Sequence, residues 1–334
     1  MEESILNYFP INIQKKIYGQ VENFTNLEEI RIRTNKPIIL KYTFYEKIID
    51  CIITYKEMIE IVQRICENSI YSYQNQICQG FITVKGGHRV GITGNAVIEN
   101  GDVININYIS SINFRIAREI TGCSNKLLRY ILNTNENTVY NTLIISPPGA
   151  GKTTILRDLV RNISNGITSI NFDGITVGLV DERGEIAASY KGISQNNIGI
   201  RTDVITNISK SMGINMLIRS MAPKVVVADE IGIAEDVKAI NYAVCSGVKG
   251  IFTAHGGNLE EVLANPILSE LIGSHIFERI VFLNSKIKKG EILKIYELNN
   301  NGYMDINKAS LMIDEMYSLA YKKEAMQLSR RLKK

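Results

Sequence analysis

A lysine and two threonines follow a glycine-rich turn near the middle of the chain, in the stretch Ser146–Thr154. The preceding residues, 139–145, are apolar and β-branched and predict a strand, and the apolar spacing after the stretch predicts a helix. Glycines let backbone N–H groups turn toward an anion, and the N-terminal end of a helix adds a positive partial charge. A strand, a glycine-rich loop and a helix in this order predict a phosphate-binding loop.

The loop matches the pattern G-x-x-x-x-G-K-[ST] except at its first position, where Ser146 stands in place of glycine. Lys152 is expected to reach the β- and γ-phosphates of a nucleoside triphosphate, and the Thr153 hydroxyl to bind Mg²⁺. The sequence therefore predicts ATP and Mg²⁺ as ligands. The residues predicted to surround the phosphates are Pro148, Gly149, Ala150, Gly151, Lys152, Thr153 and Thr154.

A second strand, rich in valine, ends in two carboxylates, Asp229 and Glu230. Asp229 is expected to hold Mg²⁺ directly or through water. Glu230 is expected to act as the general base that polarises the attacking water.

Two more predicted strands end in polar residues. One runs into the acidic cluster Asp181–Glu185, which supplies Glu182, Arg183 and Glu185 as candidate catalytic residues. Ligand chemistry in open α/β sheets sits at the carboxyl ends of strands, although a solvated turn is the alternative here. The other strand ends at His255, which either senses the γ-phosphate or is structural.

Two arginines, Arg115 and Arg118, lie close together near the end of the first third of the chain. The alternation of apolar and polar residues around them predicts a strand. They are either solvated or reach the nucleotide from a distance, as an arginine finger does. Arg183 and Arg201 are the alternatives within the nucleotide-binding part of the chain.

The first part of the chain alternates helix and strand signals and predicts a smaller α+β domain. Residues 26–40 predict a strand, a turn and a second strand. Thr54 and Glu57, three residues apart, predict a capping box that opens a helix. Residues 80–94 predict a hairpin around a Gly-Gly turn.

An Asn- and Thr-rich loop, 133–137, marks the predicted domain boundary. We predict an N-terminal domain at 1–135, a nucleotide-binding domain at 136–285 and a C-terminal strand and helical extension at 286–334. The extension carries 11 Lys and Arg against 6 Asp and Glu. It is either a solvated tail or a contact with acidic lipid or nucleic acid.

The composition is that of an ordinary globular protein of 334 residues with a net charge of +4. No run of about 18 apolar residues occurs, and the acidic N-terminus lacks a signal-peptide pattern. The five cysteines are scattered without a C-x-x-C motif, which argues against a disulfide framework or a cysteine metal site. These features predict a cytoplasmic location.

Residues 139–283 resemble the secretion, or traffic, ATPases of type II and type IV systems, in which four boxes follow one another in the same order. The resemblance implies an α/β fold with a RecA-like P-loop ATPase core and a smaller α+β N-terminal domain. It also implies a homo-oligomeric ring, expected to be a hexamer. The four boxes are Ser146–Thr154, Asp181–Glu185, Lys224–Glu230 and Thr253–His255.

Five tracts, spread over both predicted domains, more narrowly resemble a family of endospore-formation ATPases. This resemblance implies a cytoplasmic ATPase on the inner face of the mother-cell membrane that energises a membrane-embedded channel complex into the forespore. The tracts are Gly86–Gly91, Ser111–Glu119, Ser146–Gly149, Val180–Arg183 and Asp229–Gly232.

The chain departs from the secretion ATPases in two places near Glu230. The family carries glycine where Asp229 stands and arginine where Gly232 stands, so both Glu230 and Glu185 remain candidates for activating water. Three other functions stay open: a nucleic-acid-dependent ATPase, an ATP-binding regulatory scaffold and a small-molecule kinase. Nucleic acid is an unlikely partner because aromatic and basic residues do not interleave and tryptophan is absent.

Overall fold

The computed structural model describes residues 2–284, 290–300 and 302–306. The chain forms two compact units. The first comprises residues 1–118 together with 188–196, and the second contains the rest. The domain boundaries predicted after residues 135 and 285 stay predictions.

The first unit is built on a six-stranded antiparallel sheet with the strand order β3-β2-β1-β6-β5-β4. Alternating apolar residues on these strands face a core that also receives the apolar stripes of the helices. Its strands are β1 (Leu27–Arg33), β2 (Pro37–Tyr42), β3 (Glu46–Ile52), β4 (Phe81–Thr83), β5 (Arg89–Glu99) and β6 (Asp102–Arg115). Its helices are α1 (Ile11–Tyr18), α2 (Tyr55–Ile65) and α3 (Gln74–Cys78).

The local predictions for this unit are confirmed. β1 and β2 form the predicted antiparallel pair. The Thr54 hydroxyl accepts the Glu57 N–H at 3.3 Å, and the Glu57 carboxylate accepts the Thr54 N–H at 2.9 Å, which completes the capping box of α2. β4 and β5 form the predicted hairpin.

The second unit contains an eight-stranded sheet with the order β13-β12-β14-β15-β9-β16-β17-β18. The six strands from β13 to β16 in this order are parallel, and the last two are antiparallel additions at one edge. These strands are β9 (Thr142–Ser146), β12 (Val177–Asp181), β13 (Thr202–Thr206), β14 (Val225–Ala228), β15 (Lys249–His255), β16 (Arg279–Asn284), β17 (Glu291–Asn299) and β18 (Gly302–Asp305). Two short pairs are separate from this sheet: β7 (Leu132–Asn133) with β8 (Thr138–Val139), and β10 (Gly166–Ile167) with β11 (Phe172–Asp173).

Helices cover both faces of this sheet, and each face has its own apolar core. Leu156, Leu159 and Ile163 of α5 pack on one face, and residues of α6 and α7 pack on the other. Helices cover both faces of these parallel strands, so the side chains on both faces are buried. Such strands consist almost entirely of apolar residues, as β14 does. The helices are α4 (Asn125–Ile131), α5 (Lys152–Asn165), α6 (Lys210–Met221), α7 (Ala234–Cys245), α8 (Leu259–Ala264) and α9 (Pro266–Gly273).

The strands predicted before and after the phosphate-binding loop are confirmed as β9, β12, β14 and β15. The predicted closing pair is also present, as the antiparallel pair β16 and β17. The predicted C-terminal helix and most of the basic extension lie outside the described residues.

Candidate nucleotide-binding site

The phosphate-binding loop connects the end of β9 at Ser146 to the start of α5 at Lys152. Gly149 and Gly151 have φ angles of 74° and 91°, a left-handed conformation that side chains with a Cβ rarely adopt. Gly151 is the N-cap of α5, and no side chain caps the helix there. The N–H groups of the first turn are therefore available to an anion.

Lys152 is buried, with 6% of its surface exposed, and its ammonium group lies inside the curve of the loop. Nζ donates to the carbonyl oxygen of Ser146 at 3.3 Å and to Nδ1 of His255 at 3.0 Å. Burial lowers the pKa of Lys152, and the charges of Asp229 and Glu230 oppose this shift without cancelling it. The two groups that accept from this ammonium are a carbonyl oxygen and a ring nitrogen, and a triphosphate would supply negatively charged oxygens in their place.

Thr153 and Asp229 meet at the end of the sheet although they lie 76 residues apart in the chain. The Thr153 hydroxyl donates to Oδ2 of Asp229 at 2.8 Å. Mg²⁺ prefers hard oxygen ligands and usually takes one or two from the protein, the rest being water and phosphate. This hydroxyl–carboxylate pair fits that requirement. No group of three or more His, Cys, Asp and Glu suited to a metal occurs within the described ranges.

Glu230 lies between two groups that can carry positive charge. Its carboxylate pairs with Nη1 of Arg183 at 2.6 Å and with Nε2 of His255 at 2.9 Å. The Arg183 side chain is 65% exposed, so this ion pair is weak and easily exchanged for water. Glu230 also has a φ of 55°, an uncommon conformation for a residue with a side chain.

His255 links the loop lysine to the carboxylate. A lysine ammonium can only donate, so the Nδ1 that faces Lys152 must accept, and in the neutral ring Nε2 then donates to Glu230. The structure therefore joins Lys152, His255, Glu230 and Arg183 in one continuous network of hydrogen bonds and ion pairs.

The acidic cluster after β12 divides into a buried and an accessible part. Asp181 is 3% exposed, and its carboxylate accepts the backbone N–H groups of Glu185, Ile186 and Ala187 at 2.8 to 3.2 Å. Burial raises the pKa of Asp181, although these three hydrogen bonds oppose the shift. Asp181 therefore holds the shape of the loop that follows it.

Two residues that we did not single out from the sequence also hold this loop. Arg157 of α5 donates to the carbonyl oxygens of Ile186 at 2.8 Å and Glu185 at 2.6 Å. Lys210, the first residue of α6, forms an ion pair with Glu182. Neither partner lies near its target in sequence, so no local pattern could have indicated these contacts.

The predicted site residues of the second unit come together at one end of its sheet. A cleft there is lined by Asp181, Glu182, Arg183, Glu185, Lys210, Asp229 and Glu230. The phosphate-binding loop adjoins it through the Thr153–Asp229 and Lys152–His255 contacts.

The structure places the other predicted arginines differently. Arg115 ends β6 and is exposed, and Arg118 is the last residue of the first unit's main segment and is partly buried. Arg201 donates to the carbonyl oxygen of Ser164 at 2.9 Å, near the far end of α5. Because an α-helix rises about 1.5 Å per residue, Ser164 lies roughly 18 Å along α5 from Lys152. The prediction that Arg201 could offset charge on the phosphate is therefore wrong.

A family model described as sporulation stage III, protein AA, matches residues 1–303. The chain belongs to this family. A curated family member, stage III sporulation protein AA of Bacillus subtilis (strain 168), is 38% identical over 280 residues. The match covers 84% of this chain and 90% of the relative. The narrower resemblance to endospore-formation proteins is confirmed.

Solved structures of two other proteins share the fold of this chain. The ATPase DotB of Legionella pneumophila superposes with a TM-score of 0.53 at 15% identity, covering 89% of this chain and 83% of DotB. The pilus retraction motor PilT, solved with bound ADP, gives a TM-score of 0.51 at 12% identity, covering 94% and 88%. The predicted α/β fold, a RecA-like core with a smaller α+β N-terminal domain, is confirmed.

Among the described residues, no helix is both long and apolar enough to cross a bilayer.

Proposed function

We propose that this chain binds ATP with Mg²⁺ and hydrolyses it. The observation that carries the proposal is the 2.8 Å hydrogen bond from the Thr153 hydroxyl to Oδ2 of Asp229, next to the buried side chain of Lys152. Together these side chains provide a hydroxyl and a carboxylate for the metal and a cation for the phosphates.

The loop and Lys152 bind the phosphates through backbone N–H groups and the ammonium. Thr153 and Asp229 hold Mg²⁺, which when bound neutralises charge on the phosphate oxygens. Binding of the triphosphate requires Lys152 Nζ to turn from His255 Nδ1 toward the phosphates. His255 then loses the donor that fixes its ring, so the presence of the phosphate is communicated to Glu230.

Glu230 accepts the proton of the attacking water as general base. Glu185 of the same cleft is the alternative base, and Glu182 is held by Lys210. Arg183 pairs with the Glu230 carboxylate. Once Arg183 is released from this ion pair, its guanidinium offsets charge on the transferred phosphoryl group. Arg115 and Arg118 of the first unit are the candidates for an arginine acting from another domain or subunit.

We further propose that hydrolysis drives a mechanical change during endospore formation. The chain would work as a homo-oligomeric ring, expected to be a hexamer, on the inner face of the mother-cell membrane, where it energises a membrane-embedded channel component. Membership of the sporulation family and the fold shared with the ATPase DotB and the pilus retraction motor PilT support this assignment.

The test is Mg²⁺-dependent ATP hydrolysis by the purified chain and by three variants, with size measured in parallel. Lys152→Ala removes the phosphate-binding ammonium, and Glu230→Gln removes the base while keeping the shape of the side chain. Lys249→Ala is the matched control, since Lys249 pairs with Glu278 and lies at the opposite end of β15 from His255. Each protein is assayed alone, with single-stranded DNA and with anionic vesicles.

We expect hydrolysis to be lost in the Lys152 and Glu230 variants, retained in the control and enhanced by assembly. Stimulation by DNA and not by vesicles would replace the membrane motor with a nucleic-acid-dependent ATPase. ATP binding without hydrolysis under every condition would favour the regulatory scaffold.

A further inference from the structure

Thr253 lies on β15, next to β14, the strand that Asp229 and Glu230 follow. The register pairs Ala228 with Phe252, so Thr253 stands one step beyond the last pair, level with Asp229. Its side chain is fully buried. A buried hydroxyl must find hydrogen-bond partners, and the partners of Thr253 are Asp229 and Glu230.

The Thr253 hydroxyl has two partners and uses both of its capacities. It donates its proton to Oδ1 of Asp229 and accepts the backbone N–H of Glu230 at 2.8 Å. Since an N–H can only donate, the direction of both hydrogen bonds is fixed. One neutral group therefore holds the side chain of the metal-binding residue and the backbone of the base.

The carbonyl oxygen of Thr253 adds a third contact, accepting the N–H of Ile231 at 2.8 Å. Three consecutive residues, Asp229, Glu230 and Ile231, are thus fixed by one residue of the neighbouring strand. The middle one has a φ of 55°. A left-handed conformation at a residue with a side chain persists only where its surroundings enforce it.

The two oxygens of Asp229 have different partners. Oδ1 accepts from Thr253, and Oδ2 accepts from Thr153 of the phosphate-binding loop. The hydrogen bond at Oδ1 fixes the rotation of the carboxylate, so that Oδ2 faces Thr153 and the place proposed for Mg²⁺.

We propose that Thr253 is a positioning residue for this site: its hydroxyl orients Asp229 toward Mg²⁺ and holds Glu230 in place to receive the proton of water. The inference rests on the proposed ATP hydrolysis. Removal of a group that orients a metal ligand typically costs 10- to 100-fold in metal affinity or activity, so we expect a loss of that size.

The chain offers a matched control for the removal of a buried threonine hydroxyl. Thr142 begins β9, which pairs with β15, and is as fully buried as Thr253. Its hydroxyl donates to the carbonyl oxygen of Tyr140 at 2.8 Å, at the end of the sheet away from the site. Valine at either position removes one buried hydroxyl at similar volume.

The experiment compares Thr253→Val, Thr253→Ser and Thr142→Val with the wild type. ATP hydrolysis is measured over a range of Mg²⁺ concentrations, binding of a fluorescent ADP analogue is titrated with Mg²⁺, and thermal unfolding reports stability. We expect Thr253→Val to lower kcat by about 10- to 100-fold and to raise the Mg²⁺ concentration needed for half-maximal ADP binding. Thr253→Ser should restore both, and Thr142→Val should affect stability alone.

Equal hydrolysis and equal Mg²⁺ dependence in the two valine variants would overturn the inference. Should the wild type bind Mg²⁺ and ADP without hydrolysing ATP, the proposed function fails, and the binding titration still decides the role of Thr253. If Thr253→Val does not fold, Thr253→Ala replaces it, because it removes the hydroxyl without placing a methyl group against Asp229.

Discussion

Asp181 is the last residue of β12 and Glu230 follows the neighbouring parallel strand β14 at the same end of the sheet, yet their surroundings differ sharply. Asp181 is buried and accepts three backbone N–H groups. Glu230 is accessible and is held by two side chains, Arg183 and His255. A carboxylate bound by backbone is part of the scaffold, whereas one bound by side chains can change partners during a reaction.

The difference also bears on the choice between candidate bases. A general base must lie within hydrogen-bond reach of the water that it activates. Asp181 is 3% exposed, and both of its oxygens accept backbone N–H groups of the loop that follows β12. Glu230 is partly exposed at the cleft, so it fits this role and Asp181 does not, while Glu185 stays the alternative base.

The largest effect is expected for Glu230→Gln. The amide keeps the size of the side chain but cannot accept a proton, and loss of a general base typically costs about 10²- to 10⁴-fold in rate. We expect kcat to fall by that factor while the unfolding free energy changes little, because Glu230 is partly exposed. Single-turnover hydrolysis and urea unfolding measure the two quantities.

Glu278→Gln is the control for this variant, since Glu278 is an ion-paired glutamate at the other end of the sheet. It should leave kcat unchanged. Hydrolysis by Glu230→Gln at the rate of the control would remove Glu230 as the base and leave Glu185 as the remaining candidate.

Asp181→Ala should show the opposite pattern, with stability as its main loss. The change leaves three buried N–H groups without their acceptor, and each unsatisfied buried group costs about 1–3 kcal/mol. Allowing for relaxation and water entry, we expect a loss of about 2–4 kcal/mol in the unfolding free energy, measured by urea denaturation.

Asp158→Ala serves as the comparison for Asp181→Ala. Asp158 is equally buried and binds the N–H and hydroxyl of Ser124 at 2.8 and 2.7 Å. Both variants should be destabilised, but only Asp181→Ala should alter the KM for ATP at a temperature where both remain folded. An unchanged stability of Asp181→Ala would show that the loop holds its shape without the carboxylate.

The sequence predicted the elements of the site because their signals are local. The apolar run of β14 ends at its two carboxylates, the glycines of the loop lie between a strand and a helix, and Thr54 with Glu57 specifies a helix start. In each case neighbouring residues determine the backbone, so that their order in the chain is sufficient.

The partners of the site residues could not be predicted in the same way. The hydrogen bond between His255 and Glu230 forms because β15 lies next to β14. The hydrogen bonds from Arg157 to the acidic loop depend on the packing of α5. Arg201 was misassigned because its position after the acidic cluster does not reveal that its guanidinium faces Ser164. Such contacts follow from tertiary structure and leave no periodic signal.

The pH dependence of stability distinguishes two buried aspartates. Burial raises the pKa of Asp181, so the native state holds that proton more tightly, and the contribution of Asp181 to stability falls as pH rises above the ordinary value of 3.8. Burial also acts on Asp158, but hydrogen bonds from Ser124 and Arg161 outweigh it and lower its pKa. The contribution of Asp158 to the unfolding free energy is therefore complete above pH 3.8 and is lost as the pH falls below that value.

Urea unfolding from about pH 3 to about pH 6 tests this difference through the variants Asp181→Asn and Asp158→Asn. The wild type should lose stability relative to Asp181→Asn as pH rises, and gain it relative to Asp158→Asn. Each unit of pKa displacement corresponds to about 1.4 kcal/mol. Parallel curves for the two variants would contradict the opposite signs.

The smallest effect is expected for Glu182→Gln. Glu182 belongs to the same acidic loop, but its carboxylate pairs with Lys210 at the start of α6 and is partly exposed. An ion pair of this kind contributes about 0.2–1 kcal/mol, and we expect a loss of stability in that range. Because Glu182 makes no contact with His255 or Lys152 among the described residues, kcat should fall by less than about tenfold, well short of the loss of a general base.

Lys210→Met is the companion variant, since it removes the partner of Glu182 and keeps the glutamate. If the ion pair is all that matters, the two variants should lose the same stability, and their combination should lose no more than either alone. A fall in kcat of about 10²-fold or more for Glu182→Gln, without a similar fall for Lys210→Met, would place the base in the acidic loop. The reactive carboxylate would then lie in the loop after β12 and not after β14.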